Sequence, residues 1–184
     1  MRICKIFIVL YLFLLPAEAF AADAKVTDLM ITNTSKNLLV YLKGENCFTR
    51  NMEEAILAGI PTTFTFILEL RRERRYWFDK KESFLEVRHT IKYDNIKKTF
   101  YVAFTERDRK PVQFKEFSKA KIAMAELNGI VFTPLRQMTK GDRYYLRVKA
   151  KLEEVRLPLH LEYVFFFVSL WDFETDWFRQ DFVY

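Results

Sequence analysis

The chain has 184 residues, 51% of them hydrophobic, 17% aromatic and 29% charged, with 30 Lys and Arg against 24 Asp and Glu for a net charge of +6. This composition excludes a disordered chain, and with only four Gly and five Pro it also excludes a collagen-like or linker-rich one. The positive field is moderate, enough to favour an anionic partner and too weak to demand one.

The chain opens with "MRICKIFIVLYLFLLPAEAFAADA": a basic start at Arg2 and Lys5, an apolar run from Ile6 to Leu15, Pro16, then Ala19-Phe20-Ala21. That order predicts a secretory signal peptide over residues 1–21, cut after Ala21, and a periplasmic protein; an uncleaved anchor is the alternative, against which stand Pro16 and the small residues at the junction. The apolar run is too short for a bilayer, which takes about 20 residues, so no transmembrane span is expected after cleavage. Cys4 precedes the run, which argues against lipoprotein attachment. Cleavage leaves residues 22–184, the size of one domain with a sizeable core, and lowers the net charge to +5 by removing Arg2, Lys5 and Glu18. An exported basic protein meets anionic headgroups and acidic envelope polymers, so no nucleic-acid partner is expected. Cys47 is then the only cysteine, which forbids an internal disulfide; a small buried hydrophobe is the favoured reading over a nucleophile.

Beyond the leader, "VTDLMI" and "LLVYL" read as a strand pair, with blurred alternation around Leu29-Met30-Ile31. "FTRNMEEAILAGI" changes to a helical period, capped by Thr49 or Asn51 and stopped at Gly59. "TFTFILELRR" places Phe64, Phe66, Leu68 and Leu70 on one face. "FLEVRHTIKY" does the same with Leu85, Val87, His89, Ile91 and Tyr93, and "YYLRVKAKLEEV" with Tyr144, Leu146, Val148, Ala150 and Leu152. The Asp94-Asn95 turn leads into "TFYVAFT", and "VQF" follows "ERDRKP". "FSKAKIAMAELNGI" predicts a second helix, capped by Ser118, stapled by Phe117 and Ile122 and stopped at Gly129. The expected fold is α+β and mainly antiparallel: about eight strands in a sandwich-like or strongly curved sheet, with two short helices.

"LRRERRYWF" gathers arginines beside aromatics; a strand continuing through it would set Arg72, Arg74 and Tyr76 against Arg71, Glu73 and Arg75, so the favoured reading is a solvated strand end. In "LEYVFFFVSLWDFETDWF" the apolar run 163–171 is too short to span a membrane and reads best as a core strand covered on both faces, with an exposed patch as the alternative. Asp172, Glu174 and Asp176 would share a face of a continuing strand and invite calcium, but no glycine or distal bidentate Glu completes a calcium loop, and a solvated turn is favoured. His89 and His160 lack metal-ligand spacing. The ending "DFVY" resembles an outer-membrane barrel's terminal strand, against which stand two capped helices and the Arg- and Lys-rich outward faces.

With the leader, Gly59-Ile60-Pro61, Arg72, Arg74, Trp77, Leu157-Pro158 and the Trp171-Asp172, Thr175, Trp177 pattern resemble the bacterial envelope family of the DUF4390 domain, a domain of unknown function. The resemblance covers the mature chain. It implies an exported protein whose genes lie beside a membrane sensor histidine kinase, and so a sensing or accessory role; it supplies no catalytic residues.

The residues themselves show no nucleophile, base and orienter set and imply no cofactor and no metal. The expectation is a non-enzymatic interaction module. Its surface would be built from Arg72, Arg74, Trp77, Trp171, Asp172, Thr175 and Trp177, and its partner would be an envelope protein or membrane-surface component. A carrier of a hydrophobic ligand or lipid is the alternative, since 16 of the 19 phenylalanines survive loss of the leader.

Overall fold

A computed structural model describes residues 24–107, 110–153 and 174–184. The leader, Leu157-Pro158, His160, the 163–171 run, Trp171 and Asp172 lie outside the described residues.

The strand β1 (Lys25–Asn33) pairs antiparallel with β2 (Asn37–Glu45). The blurred alternation near Leu29 has a physical cause. The pairing slips between Thr27 and Met30, and Asp28 sits at φ 51, so a bulge breaks the two-residue period there. Helix α1 (Arg50–Leu57) starts at Thr49, whose hydroxyl accepts from the Met52 backbone N–H at 3.3 Å. It stops as expected: Gly59 at φ 89 donates to the Ile56 carbonyl and Ile60 to the Ala55 carbonyl, the paired bonds of a left-handed glycine stop.

Next come β3 (Thr62–Arg72), β4 (Lys80–Asp94), β5 (Thr99–Phe104) and β6 (Val112–Phe114), an antiparallel meander. Asp94 closes the β4–β5 turn by accepting from the N–H groups of Ile96 and Lys97 at 3.0 and 2.9 Å. Helix α2 (Phe117–Ala125) is shorter than its sequence suggests. Glu116, not Ser118, precedes it without a side-chain cap, and Ile122 is exposed, so no staple forms; Phe117 instead stacks on Phe100 at 4.8 Å.

The residues after Ala125 leave the helix and form β7 (Glu126–Pro134), paired with β2. Gly129 is therefore no helix stop. It sits at φ 70 where the register slips between Val40 and Leu42, and a Cβ there would lie 3.2 Å from the Tyr41 hydroxyl. A short 3-10 turn (Leu135–Gln137) leads to β8 (Arg143–Leu152), and β9 (Phe178–Val183) closes the chain against β8.

Among the described residues nine strands form two antiparallel sheets, ordered β1-β2-β7 and β6-β5-β4-β3-β8-β9. Neither described sheet closes on itself, as a barrel would require. Val40, Leu42 and Leu127 of the small sheet share one core with Phe64, Phe66, Leu68, Val87, Leu146 and Val148 of the large one, and Met52, Ile56 and Met124 join from the helices. This is the α+β, sandwich-like arrangement expected from the alternating segments. The inward sets of β3, β4 and β8 are those the two-residue period selects.

Candidate functional site

The face of the large sheet turned away from the core carries the charge. Thr65, Glu69, Arg71, Arg147 and Lys149 alternate outward from β3 and β8, and cross-strand register sets Glu69 opposite Arg147. Glu69 is almost fully buried there. Arg147 donates to its Oε2 from Nε at 2.9 Å and Nη2 at 2.6 Å, Lys81 donates to Oε1 at 3.2 Å, and Arg71 lies 3.4 Å from Oε2. Burial pushes the Glu69 carboxyl up, but the bonds from Arg147 and Lys81 outweigh it and hold the group below its ordinary value. Further along the row, past Ile67, Thr65 donates to Glu153, which also takes Arg88 at 2.7 Å, so the outward face carries a ladder of two polar clusters.

Trp177 lies on this ladder. Its ring sits under the Arg147 guanidinium at 4.3 Å and near the Lys149 ammonium at 5.0 Å, which leaves it 37% exposed. Glu174, beside it in sequence, pairs with Lys149, and Asp176 is exposed. Thr175 is not a surface residue. It is buried, its N–H donates to the Ala150 carbonyl at 2.9 Å, and its hydroxyl accepts from the Ala150 N–H at 3.0 Å, pinning the incoming chain to β8. Among the described residues no group of three His, Cys, Asp or Glu side chains converges as metal ligands would.

At one end of the ladder the β3–β4 connection projects. The strand ends at Arg72, so the alternation expected through Arg74 and Tyr76 does not hold. Arg72 turns instead toward Asp142 at 3.0 Å and Glu82 at 2.9 Å. Beyond it Tyr76, Trp77 and Phe78 stand 85%, 73% and 87% exposed, three consecutive aromatic rings in solvent. The base beneath them is braced. The Glu73 N–H donates to the Arg143 carbonyl at 3.0 Å, Arg179 holds the Glu73 carboxylate at 2.7 Å, and Asp79 accepts from the Tyr145 hydroxyl at 2.9 Å. Arg179 in turn lies 3.7 Å over the Tyr145 ring. Glu73, Arg74, Arg75, Asp79 and the 141–143 turn enclose a polar concavity of about 860 Å³ at the foot of the loop. Of the residues the sequence singles out, the structure thus brings Arg72, Arg74 and Trp77 to this end and sets Trp177 further along the same face; Trp171 and Asp172 lie outside the described residues.

The residues with reactive side chains are used elsewhere. His89 is buried between Phe66 and Phe104; its Nδ1 meets the Met124 carbonyl at 3.1 Å and its Nε2 the Glu106 carboxylate at 3.3 Å. Burial pushes the Glu106 carboxyl up, but the hydrogen bonds from His89 and from its own backbone N–H, with the Arg107 charge beside it, together outweigh burial and hold the group below its ordinary value. Cys47 is buried, its thiol pushed up to about 11 by burial and by the nearby Glu45 charge, so it is a thiol rather than a nucleophilic thiolate at neutral pH.

Sequence reasoning missed Glu69 and Glu106. Glu69 follows an apolar run, a signal that asks for a buried partner without naming one, whereas Glu106 opens the charged stretch 106–110 and carries no such signal; Arg147 and His89, which meet them, come from other strands.

No curated protein and no solved structure matches this chain. A match to the family described as Domain of unknown function (DUF4390) runs over residues 21–181, taking in every element from β1 to β8 and most of β9. As the resemblance carried by Gly59-Ile60-Pro61, Arg72, Arg74, Trp77, Leu157-Pro158 and the Trp171-Asp172, Thr175, Trp177 pattern implied, the chain belongs to the DUF4390 family.

Proposed function

We propose that the chain is an exported, non-enzymatic binding module of the bacterial envelope, periplasmic after loss of its leader and accessory to a membrane sensor kinase system. It engages a membrane protein or membrane-surface component through the β3–β4 tip and the Arg–Trp face behind it. The observation that carries this reading is the exposure of Tyr76, Trp77 and Phe78 in sequence, on a base held to β8 and β9 by Glu73 and Asp79. A monomer gains nothing from three hydrated rings, whereas aromatic and arginine side chains together are what binding surfaces are enriched in. The engagement of Cys47 and His89 in the core supports a non-enzymatic role.

A photoreactive residue at position 77, compared with one at the still more exposed Ile96 on the β4–β5 turn at the other end of β4, tests the reading in living cells. Crosslinks to envelope components from position 77 alone, lost in a Tyr76→Ser, Phe78→Ser background without a change in melting temperature, are expected. Equal labelling from both turns, or none, sinks the proposal.

One observation favours a carrier as the second reading. Beside the β1 bulge lies a concavity of about 480 Å³, within the size range of ligand sites, in which Leu29, Met30, Tyr41, Leu42 and Leu127 are rimmed by Asp28, Lys43, Glu126 and Asn128. Native mass spectrometry of protein purified from periplasm without detergent decides it. An adduct of lipid mass, with a melting temperature that falls on delipidation and returns on adding lipid, supports a carrier; bare protein with an unresponsive melting temperature removes it.

A further inference from the structure

The end of the molecule that carries Tyr76, Trp77 and Phe78 also gathers unpaired positive charge. The acidic groups there are occupied: Glu73 by Arg179 at 2.7 Å, Asp142 by Arg72 at 3.0 Å, and Asp79 by the Tyr145 hydroxyl at 2.9 Å. The cations are not. Arg74 and Arg75 on the tip, Lys140 and Arg143 on the 139–143 turn, and Lys36 and Arg136 on the adjoining turns are all exposed, and none forms an ion pair among the described residues. One end of the sandwich therefore presents an exposed aromatic triplet together with unpaired cations on the tip and the adjoining turns.

We infer that this end is a membrane-docking surface: Tyr76, Trp77 and Phe78 insert into the headgroup region of an anionic bilayer while Arg74, Arg75, Lys140 and Arg143 contact its phosphates. The inference rests on the envelope-binding reading above and names its partner. Three features select a lipid surface over a protein. The triplet is convex, so a protein would need a matching pocket, whereas the interface between headgroups and chains yields to a wedge. Tyr and Trp are the side chains that settle at that interface, with the ring in the apolar layer and the polar atom at headgroup level. The free cations come from four separate turns and share one sign, which suits an extended anionic plane better than a single carboxylate. Arg75 already lies 5.6 Å over the Tyr76 ring, so charge and ring can enter as a unit. Because the Glu73 and Asp79 braces hold the base, docking orders little more than residues 74–78.

The exported protein, purified without detergent, is sedimented with vesicles of phosphatidylglycerol and phosphatidylethanolamine, and separately with vesicles of phosphatidylcholine. Binding is expected to the anionic vesicles, to weaken with salt, and to fall about fivefold for each of Arg74→Ala and Arg75→Ala, the change that one cation near an anionic surface confers. The variant Tyr76→Ser, Trp77→Ser, Phe78→Ser is expected to lose at least tenfold. These side chains are exposed, so the fold survives, which an unchanged melting temperature checks. Brominated lipid is expected to quench fluorescence in the parent and less in Trp77→Phe, whose binding persists. Vesicle binding unaffected by the triple substitution would place the contact elsewhere in the chain and overturn the inference. Absence of vesicle binding, together with position-77 crosslinks to a protein, overturns the inference while leaving the envelope-binding reading standing; absence of both overturns the two together.

Discussion

Glu69 shows how one residue can be costly and useful at once. A carboxylate this deeply buried is tolerated because Arg147, Lys81 and Arg71 surround it, and because the first two bond it directly. Its depressed pKa makes it a stability group with a definite sign. A carboxyl whose folded value lies below its ordinary 4.5 contributes stability above that pH and loses it as pH falls through the folded value. Glu69→Gln keeps the shape and removes the charge, stranding Arg147 beside a neutral amide. The expected cost at pH 7 is about 1–3 kcal/mol, moderated because the cations keep solvent contact. Thermal unfolding at a series of pH values is expected to show the gap between parent and variant narrowing below pH 4.5; a gap constant with pH would mean that packing rather than charge is lost.

The edges of the elements are set by single close contacts. Gly44, near the end of β2, has no room for a methyl group, since a Cβ there would approach the Cys47 sulfur to 2.6 Å. Gly44→Ala is expected to cost about 1–3 kcal/mol through overpacking. In a Cys47→Ala background most of that cost is expected to vanish, because the atom in the way is gone; equal costs in the two backgrounds, read by denaturant unfolding, would refute the contact. At this scale the sequence was readable where local chemistry decides. Thr49 capping and the Gly59 stop need only neighbours within a few residues. It was misleading at Gly129, where the same Gly-Ile pair that ends α1 lies inside β7. A glycine after an apolar helical stretch looks the same whether the next bond partner is the preceding turn or the edge of β2. Ser118 failed as a cap for a related reason: Phe117 found Phe100, and the helix began two residues earlier.

At the scale of the molecule, the two sheets share one core, and Phe66 lies in it with no exposed surface. Phe66→Ala is expected to cost about 3–5 kcal/mol, a large part of the 5–15 kcal/mol that holds an ordinary domain together. Because Leu42 and Leu127 of the small sheet join the same cluster as Phe66, both sheets are expected to unfold in one transition. Hydrogen exchange resolved to β2 and to β8 is the check, and two separated transitions would show that the sheets are independent units. The same architecture positions the candidate surface. The β3–β4 hairpin runs past the end of β8, so its tip clears the body of the sandwich, while Arg179 and Tyr145 from β8 and β9 hold its base.

The sequence by itself determined the class of the fold. The two-residue period of β3, β4 and β8 says which side of each strand meets the core, and the richness in aromatic and arginine side chains marks where contacts concentrate. Those are local properties, set by the alternation of side chains along an extended chain. Only the tertiary structure decided what those residues meet. Glu69 and Arg147 are 78 positions apart and His89 and Glu106 are 17 apart, so their pairing follows from strand register. Thr175 left the candidate surface for the same reason, because the Ala150 backbone it bonds lies 25 positions away. Trp77 and Trp177 are alike in sequence, yet one stands free at a hairpin tip and the other lies under Arg147 and Lys149. Which tryptophan is offered to a partner is a property of the sheet, since exposure depends on what the neighbouring strand places above each ring.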